Sequence, residues 1–174
     1  MKKNFSIFLI LMFLIIVLGL ALKAEVLPYN YRVIDELIHA GGHPFNPANS
    51  FSNTDEQVLE ILNYLKSQNI LVVIDLENTK RIQARYQKLL DQAGIRRIHI
   101  PLNAVKVPTK KEWEEIKEAM KQPVYIHCAW GADRTGMVLA RYLVENKGYT
   151  PDEAYNAVIT GGTSAGPLGG FKTL

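Results

Sequence analysis

Cysteine is almost missing from this chain: among 174 residues there is one, Cys128. That excludes an internal disulfide and leaves Cys128 with no resolving thiol should it oxidise. An excess of charge of one sign is missing too. The formal net charge of +3 is too small to suggest nucleic acid as a partner. The basic residues are scattered, with Lys80, Arg81 and Arg85 on one expected helix and Lys110 and Lys111 on another. There is no internal repeat, and only the tail Gly161 to Gly170 (GGTSAGPLGG) is biased in composition, which marks a loose surface segment.

Long apolar runs are lacking except at the amino end. After Lys2 and Lys3, residues 5–22 (FSIFLILMFLIIVLGLAL) carry no charge. As a helix rising about 1.5 Å per residue they nearly cross a hydrocarbon core of about 30 Å. No face of the run is polar, which speaks against a buried core helix. Two readings stand. An uncleaved membrane anchor is favoured by the length of the run and by Lys23 directly after it; a signal peptide would use Gly19-Leu20-Ala21, or less well Ala24, for cleavage. In both, the paired lysines favour a cytoplasmic amino end and an exported domain, membrane-anchored or, after cleavage, secreted or periplasmic. Residues 1–24 are thus set apart from 25–174, which suffice for one compact domain with a loose tail from about residue 161.

Within that domain strand and helix signals alternate. Tyr31 to Ile34 and Ile38 to Ala40 read as initial strands, followed by the turn-rich GGHPFNPANSF. Thr54 and Gln57 are spaced as a capping box for a helix to about Ser67. Leu71 to Ile74 reads as a buried strand, Thr79 to Gln92 as a helix stopped by Gly94, and Ile95 to Ile100 as a strand. Thr109 with Glu112 caps a helix through Met120, and Trp113 falls on its core side. Pro123 to His127 reads as a strand, Thr135 to Glu145 and Pro151 to Ile159 as helices. The alternation predicts an α/β fold, a mainly parallel central sheet flanked by helices, preceded by the amino-terminal hydrophobic helix.

The string HCAWGADRTG, from His127 to Gly136, lies where a strand meets a helix. Loop amides converging with a helix amino end form an anion site, and the same field stabilises a thiolate. A free cysteine titrates near 8.5, and such surroundings bring it to about 3.5–7.5, which would make Cys128 a nucleophile at neutral pH. Arg134 can hold two phosphate oxygens with its planar fork, more tightly as a phosphoryl group flattens in transfer. Ala129, Trp130, Gly131 and Ala132 complete the loop around the ligand. Gly131 lets backbone approach it closely, Gly136 lets the first helical turn pack closely, and Thr135 can offer its hydroxyl to the Cys128 sulfur.

This segment resembles the signature of the cysteine-dependent phosphatases, the protein tyrosine phosphatase and dual-specificity superfamily: His-Cys, five residues, Arg, then Ser or Thr. The resemblance extends more weakly over about residues 30 to 165 as an order of strands and helices. It implies that Cys128 attacks phosphorus, that a phosphocysteine forms and is hydrolysed, and that neither metal nor cofactor is used. Most members carry a general acid a few tens of residues before the cysteine. Here that stretch, Ile98 to Trp113 (IHIPLNAVKVPTKKEW), holds no Asp or Glu before Glu112, and Asn103 sits about where the acid is expected. Asp133 is the best replacement, in a GxDRT loop similar to that of the myotubularin branch; its other reading is an orienter of Arg134. Asp75 and Glu77, after a neighbouring strand, are further candidates.

His127 is expected to hold the loop by hydrogen bonds. His39 and His43 stand four apart, but Gly41, Gly42 and Pro44 break the helix that a shared metal would need, and no metal site is expected. Trp130 either shapes the pocket rim or packs. Phosphoinositide-directed loops of the superfamily often carry lysines where Ala129 and Ala132 stand, so a phosphorylated protein, at tyrosine or at tyrosine and serine/threonine, ranks first as substrate. A phosphoinositide or inositol phosphate, another small phosphomonoester, or a non-catalytic phosphate-binding role are the alternatives.

Overall fold

The computed structural model describes residues 26–103 and 105–160. The apolar run 5–22 and the tail from residue 161, with the expectations placed on them, lie outside these. Among the described residues no helix is long and apolar enough to cross a membrane.

Five short strands form one sheet: β1 (Arg32–Val33), β2 (Ile38–Gly41), β3 (Val72–Asp75), β4 (Arg96–His99) and β5 (Val124–His127), in the order β1-β2-β5-β3-β4. The sheet is mixed. Strands β2, β5, β3 and β4 run parallel, whereas β1 is antiparallel to β2. The cause is local, because only Ile34 to Leu37 join β1 to β2, far fewer than the dozen or so residues of a parallel crossover. Asp35 closes that hairpin, its Oδ1 accepting the amides of Leu37 and Ile38 at 3.0 and 2.9 Å.

The helices are α1 (Asp55–Ser67), α2 (Lys80–Ala93), α3 (Lys110–Ala119), α4 (Asp133–Lys147) and α5 (Pro151–Thr160). Both expected capping boxes form, Thr54 with Gln57 on α1 and Thr109 with Glu112 on α3. Gly94 ends α2 in the left-handed conformation, φ 70°. On one side of the sheet Val58, Leu62, Tyr86 and Leu90 of α1 and α2 pack with Val73 and Tyr125. On the other, Trp113, Ile116, Val138, Leu139 and Ala154 of α3, α4 and α5 pack with Val72, Ile74, Val124 and Ile126. Successive residues of β3 and β5 thus feed opposite cores, and every residue of both strands is buried.

Strand register decides where a ligand can sit. His127 pairs with Gly41 on one side and Asp75 on the other. Three parallel strands therefore end in one row, and the segments Gly42-His43, Leu76-Glu77 and Cys128-Ala129 leave the sheet side by side. That carboxyl edge is the usual binding side of such sheets.

Candidate active site

Cys128 follows the last residue of β5 and is 2% exposed. Helix α4 starts at Asp133, two residues before the expected Thr135, so Asp133 and Arg134 belong to its first turn. Its N-cap is Ala132, which makes no side-chain cap hydrogen bond. The first amides of the helix are left for a ligand, where a capping Ser or Asp would have occupied them.

The loop is pressed against the ends of β1 and β2. Gly131 has φ 69°, and a Cβ there would lie 2.2 Å from the Gly41 carbonyl carbon and 2.6 Å from the Gly42 nitrogen. Glycine is thus required here by the neighbouring backbone, apart from the approach of a ligand expected at this position. Three loop carbonyls are taken by donors outside the loop. The His43 amide donates to Ala129 O at 2.8 Å, Arg32 Nη2 to Gly131 O at 2.7 Å, and Asn30 Nδ2, more distantly, to Trp130 O at 3.4 Å. Asn30 and Arg32 escaped the sequence reading, since an arginine on a short edge strand carries no motif. Trp130 is half-buried and meets the edge of Tyr29, ring centroids 5.4 Å apart and planes at 82°. The Thr135 hydroxyl is buried without a hydrogen-bond partner among the described residues, so the expected bond to the Cys128 sulfur is not formed.

Arg134 is held on one side only. Nη2 bonds Glu77 Oε2 at 2.8 Å, and Nη1 donates to the carbonyls of Leu76 and Leu102, each at 3.2 Å. This leaves Nε–H and the second Nη2 proton as an edge that can fork onto two oxygens. Glu77 is itself fixed, its Oε1 accepting the amide and hydroxyl of Thr79 at 2.9 and 2.6 Å. Asp75 accepts Nε and Nη2 of Arg97 at 3.0 and 2.5 Å, and its other oxygen takes the Glu77 amide at 2.8 Å. Both further acid candidates are therefore arginine partners: Glu77 orients the clamp, and Asp75 neutralises a buried cation.

The stretch that usually bears the acid is a closed turn. Asn103 Oδ1 accepts the amides of Val105 and Lys106 at 2.9 and 2.8 Å, and Lys106 Nζ bonds Glu112 Oε1 at 2.8 Å. The Lys106 hydrogen bond, with those from Thr109, holds the Glu112 carboxyl down to about 2, so it carries no proton near neutrality. Asp133, by contrast, is exposed.

Beneath the loop His127 does hold it, as expected: Nδ1 lies 3.3 Å from Cys128 O and Nε2 3.1 Å from the Tyr86 hydroxyl. Burial pushes the His127 imidazole below its ordinary value, with Asp75 pulling the other way. His43 accepts the Phe45 amide at Nδ1, 3.1 Å, and burial holds it well below its ordinary value. Ligand atoms of His43, Asp75 and His127 come within 4.8 Å of one another. The carboxylate of that set is already committed to Arg97, and a divalent cation beside a buried guanidinium is repelled, so the donor set does not suit a metal ion. His39 lies apart, with Nδ1 at 2.5 Å from the Tyr31 hydroxyl.

A buried thiol at the end of the central parallel strand, an amide-rich loop, and an arginine fixed in the following helical turn define a cysteine-dependent phosphatase of the tyrosine and dual-specificity kind. The chain belongs to the family described as Tc-R-P, polymorphic toxin system DSP-PTPase phosphatase, whose model matches residues 50–148. No curated protein matches. Among solved structures, Tk-PTP in its active form is similar at TM-score 0.60 and 19% identity, over 83% of this chain and 88% of that one. TpbA of P. aeruginosa is similar at 0.58 and 20%, over 78% and 75%. PTPMT1 in complex with PI(5)P is similar at 0.57 and 22%, over 75% and 81%. At these identities the likeness is one of fold.

Proposed function

We propose that the chain hydrolyses phosphotyrosine in proteins, with Cys128 as nucleophile and Arg134 as clamp. Cys128 sulfur bonds to phosphorus as the phosphorus–oxygen ester bond breaks, and the leaving oxygen takes up a proton. Water then displaces the thiolate and inorganic phosphate departs. Amides of Ala129 to Ala132 and the first turn of α4, with Thr135, surround the phosphate. The observation that carries the reading is Arg134, in the first turn after the loop and fixed by Glu77 and two carbonyls so that Nε–H and one Nη2 proton remain for a ligand.

Asp133 is the proton donor in this proposal: it is exposed and stands in the first turn of α4, directly before Arg134. A carboxyl at a helix amino end, where the ionised form is favoured, gives limited proton help to a leaving group. Leaving groups that need little help are then preferred, and the phenol of tyrosine, near 10, is far better than the alkoxide of serine. The loop carries no lysine, and Ala129 and Ala132 are buried, which further favours phosphotyrosine over an inositol phosphate.

Residues 25–174 should be assayed against phosphotyrosine, phosphoserine and phosphoinositide substrates. Phosphotyrosine is expected to be turned over fastest. Cys128→Ser should abolish turnover and retain binding of a phosphate analogue that forms no bond to sulfur, such as sulfate; turnover by that variant would end the covalent reading. Asp133→Asn should slow phosphotyrosine about 10²-fold or more and barely affect an activated aryl phosphate, whereas equal losses would remove Asp133 from the proton donor's role. Residues 5–22 are proposed as the membrane segment of an exported enzyme; recovery of the full chain in the soluble cytoplasmic fraction would refute that.

A further inference from the structure

We propose that Arg32, assisted by Asn30, is a positioning residue that sets the direction of the phosphate-binding amides from outside the signature; the proposal rests on the reading of Cys128 to Arg134 as the phosphate site. In a planar trans peptide the C=O of one residue and the N–H of the next point in opposite directions. Gripping a carbonyl from outside therefore turns the following amide inward. The carbonyls of Ala129, Trp130 and Gly131 are gripped by the His43 amide, Asn30 Nδ2 and Arg32 Nη2. The amides so aimed are those of Trp130, Gly131 and Ala132, three of the donors a bound phosphate would meet.

Arg32 is the strongest of the three holders. Its fork bridges two chains, with Nη1 on the Asn30 carbonyl at 2.8 Å and Nη2 on Gly131 O at 2.7 Å. Its Nε is buried with no acceptor among the described residues, so the terminal nitrogens alone hold it. Burial lowers the Arg32 pKa, while the proximity of Tyr125 and Cys128 opposes this. A cation taken out of water on an edge strand costs stability, and here it lies within electrostatic reach of the thiol that must carry negative charge. The same guanidinium thus aims an amide and favours anions in the loop. Residues 30 and 32 precede the family match, which begins at residue 50.

Two readouts test this without relying on turnover alone. Protection of Cys128 from iodoacetamide by inorganic phosphate reports the cradle even if no ester is cleaved. Affinity for vanadate and kcat/KM on a phosphotyrosine peptide report the transition state. Arg32→Met should lower kcat/KM about 10²–10³-fold, the scale for one lost oxyanion donor, with vanadate affinity and phosphate protection falling alongside. Arg32→Lys, which can reach one carbonyl and not both, should fall between, and Asn30→Ala should lose several-fold. Wild-type phosphate protection and vanadate affinity in Arg32→Met would overturn the proposal. If that variant fails to fold, Arg32→Lys and Asn30→Ala decide: both unchanged in vanadate affinity overturns it, both weakened supports it. Absence of turnover in the wild type, with phosphate protection intact and lost in Arg32→Met, would refute the phosphatase reading and leave Arg32 in its role.

Discussion

Gly131 and Gly148 have nearly the same left-handed backbone, φ 69° and 72°, in very different surroundings. Nothing lies within 4 Å of a Cβ built at Gly148, whereas at Gly131 it would strike the Gly41 and Gly42 backbone. Gly148→Ala should cost about 1–2 kcal/mol of conformational strain and leave kcat/KM unchanged. Gly131→Ala adds a backbone collision to the same strain, and should lose phosphate binding as well as stability; urea melts with a vanadate titration separate the two. Glu77 acts at the same scale. It is 1% exposed and bonds Arg134, so Glu77→Gln, which keeps the shape and removes the charge, should loosen the clamp. About tenfold or more in kcat/KM is expected from weakening one charge-assisted bond, and an unchanged value would show that the carbonyls of Leu76 and Leu102 suffice.

The two capping boxes are chemically alike and differ in what hangs from them. Thr54→Ala and Thr109→Ala should each cost about 1 kcal/mol in urea unfolding. On α3 the capping Glu112 also binds Lys106, in the turn that Asn103 closes beside the Leu102 carbonyl on Arg134. Activity should therefore fall in Thr109→Ala and not in Thr54→Ala. Such boxes are legible in sequence because spacing alone makes them, and so were the strand before Cys128, the glycine stop after α2 and the capped starts of α1 and α3. The start of α4 at Asp133 was not: Ala132 gives no capping signal, because the place of a cap is left to a ligand. The antiparallel β1 was legible and was not drawn: only residues 35–37 separate the expected strands Tyr31 to Ile34 and Ile38 to Ala40, too few for a parallel crossover. Glu77 and Asp75 stood out as acids, but nothing in the sequence paired them with Arg134 and Arg97, which lie far along the chain.

At the scale of the molecule, the row Gly41, His127 and Asp75 sets two buried histidines, His43 and His127, under the catalytic loop. Burial holds both folded-state values below the ordinary one of about 6.5, so folding favours their neutral forms. Their contribution is complete above about pH 6.5 and is lost as pH falls and the unfolded chain takes up protons, by up to about 1.4 kcal/mol per pH unit for each. Urea melts at pH 7.5 and 5.5 should show that loss, and His43→Gln should flatten it. The edge strand β1 has a consequence of another kind. Arg32, which grips Gly131, belongs to β1 and precedes every helix among the described residues. A chain trimmed to begin at residue 50 would keep HCAWGADRTG entire and lose the hand that holds it. A displacement of β1, in turn, would reach the catalytic loop through the side chains of Asn30 and Arg32.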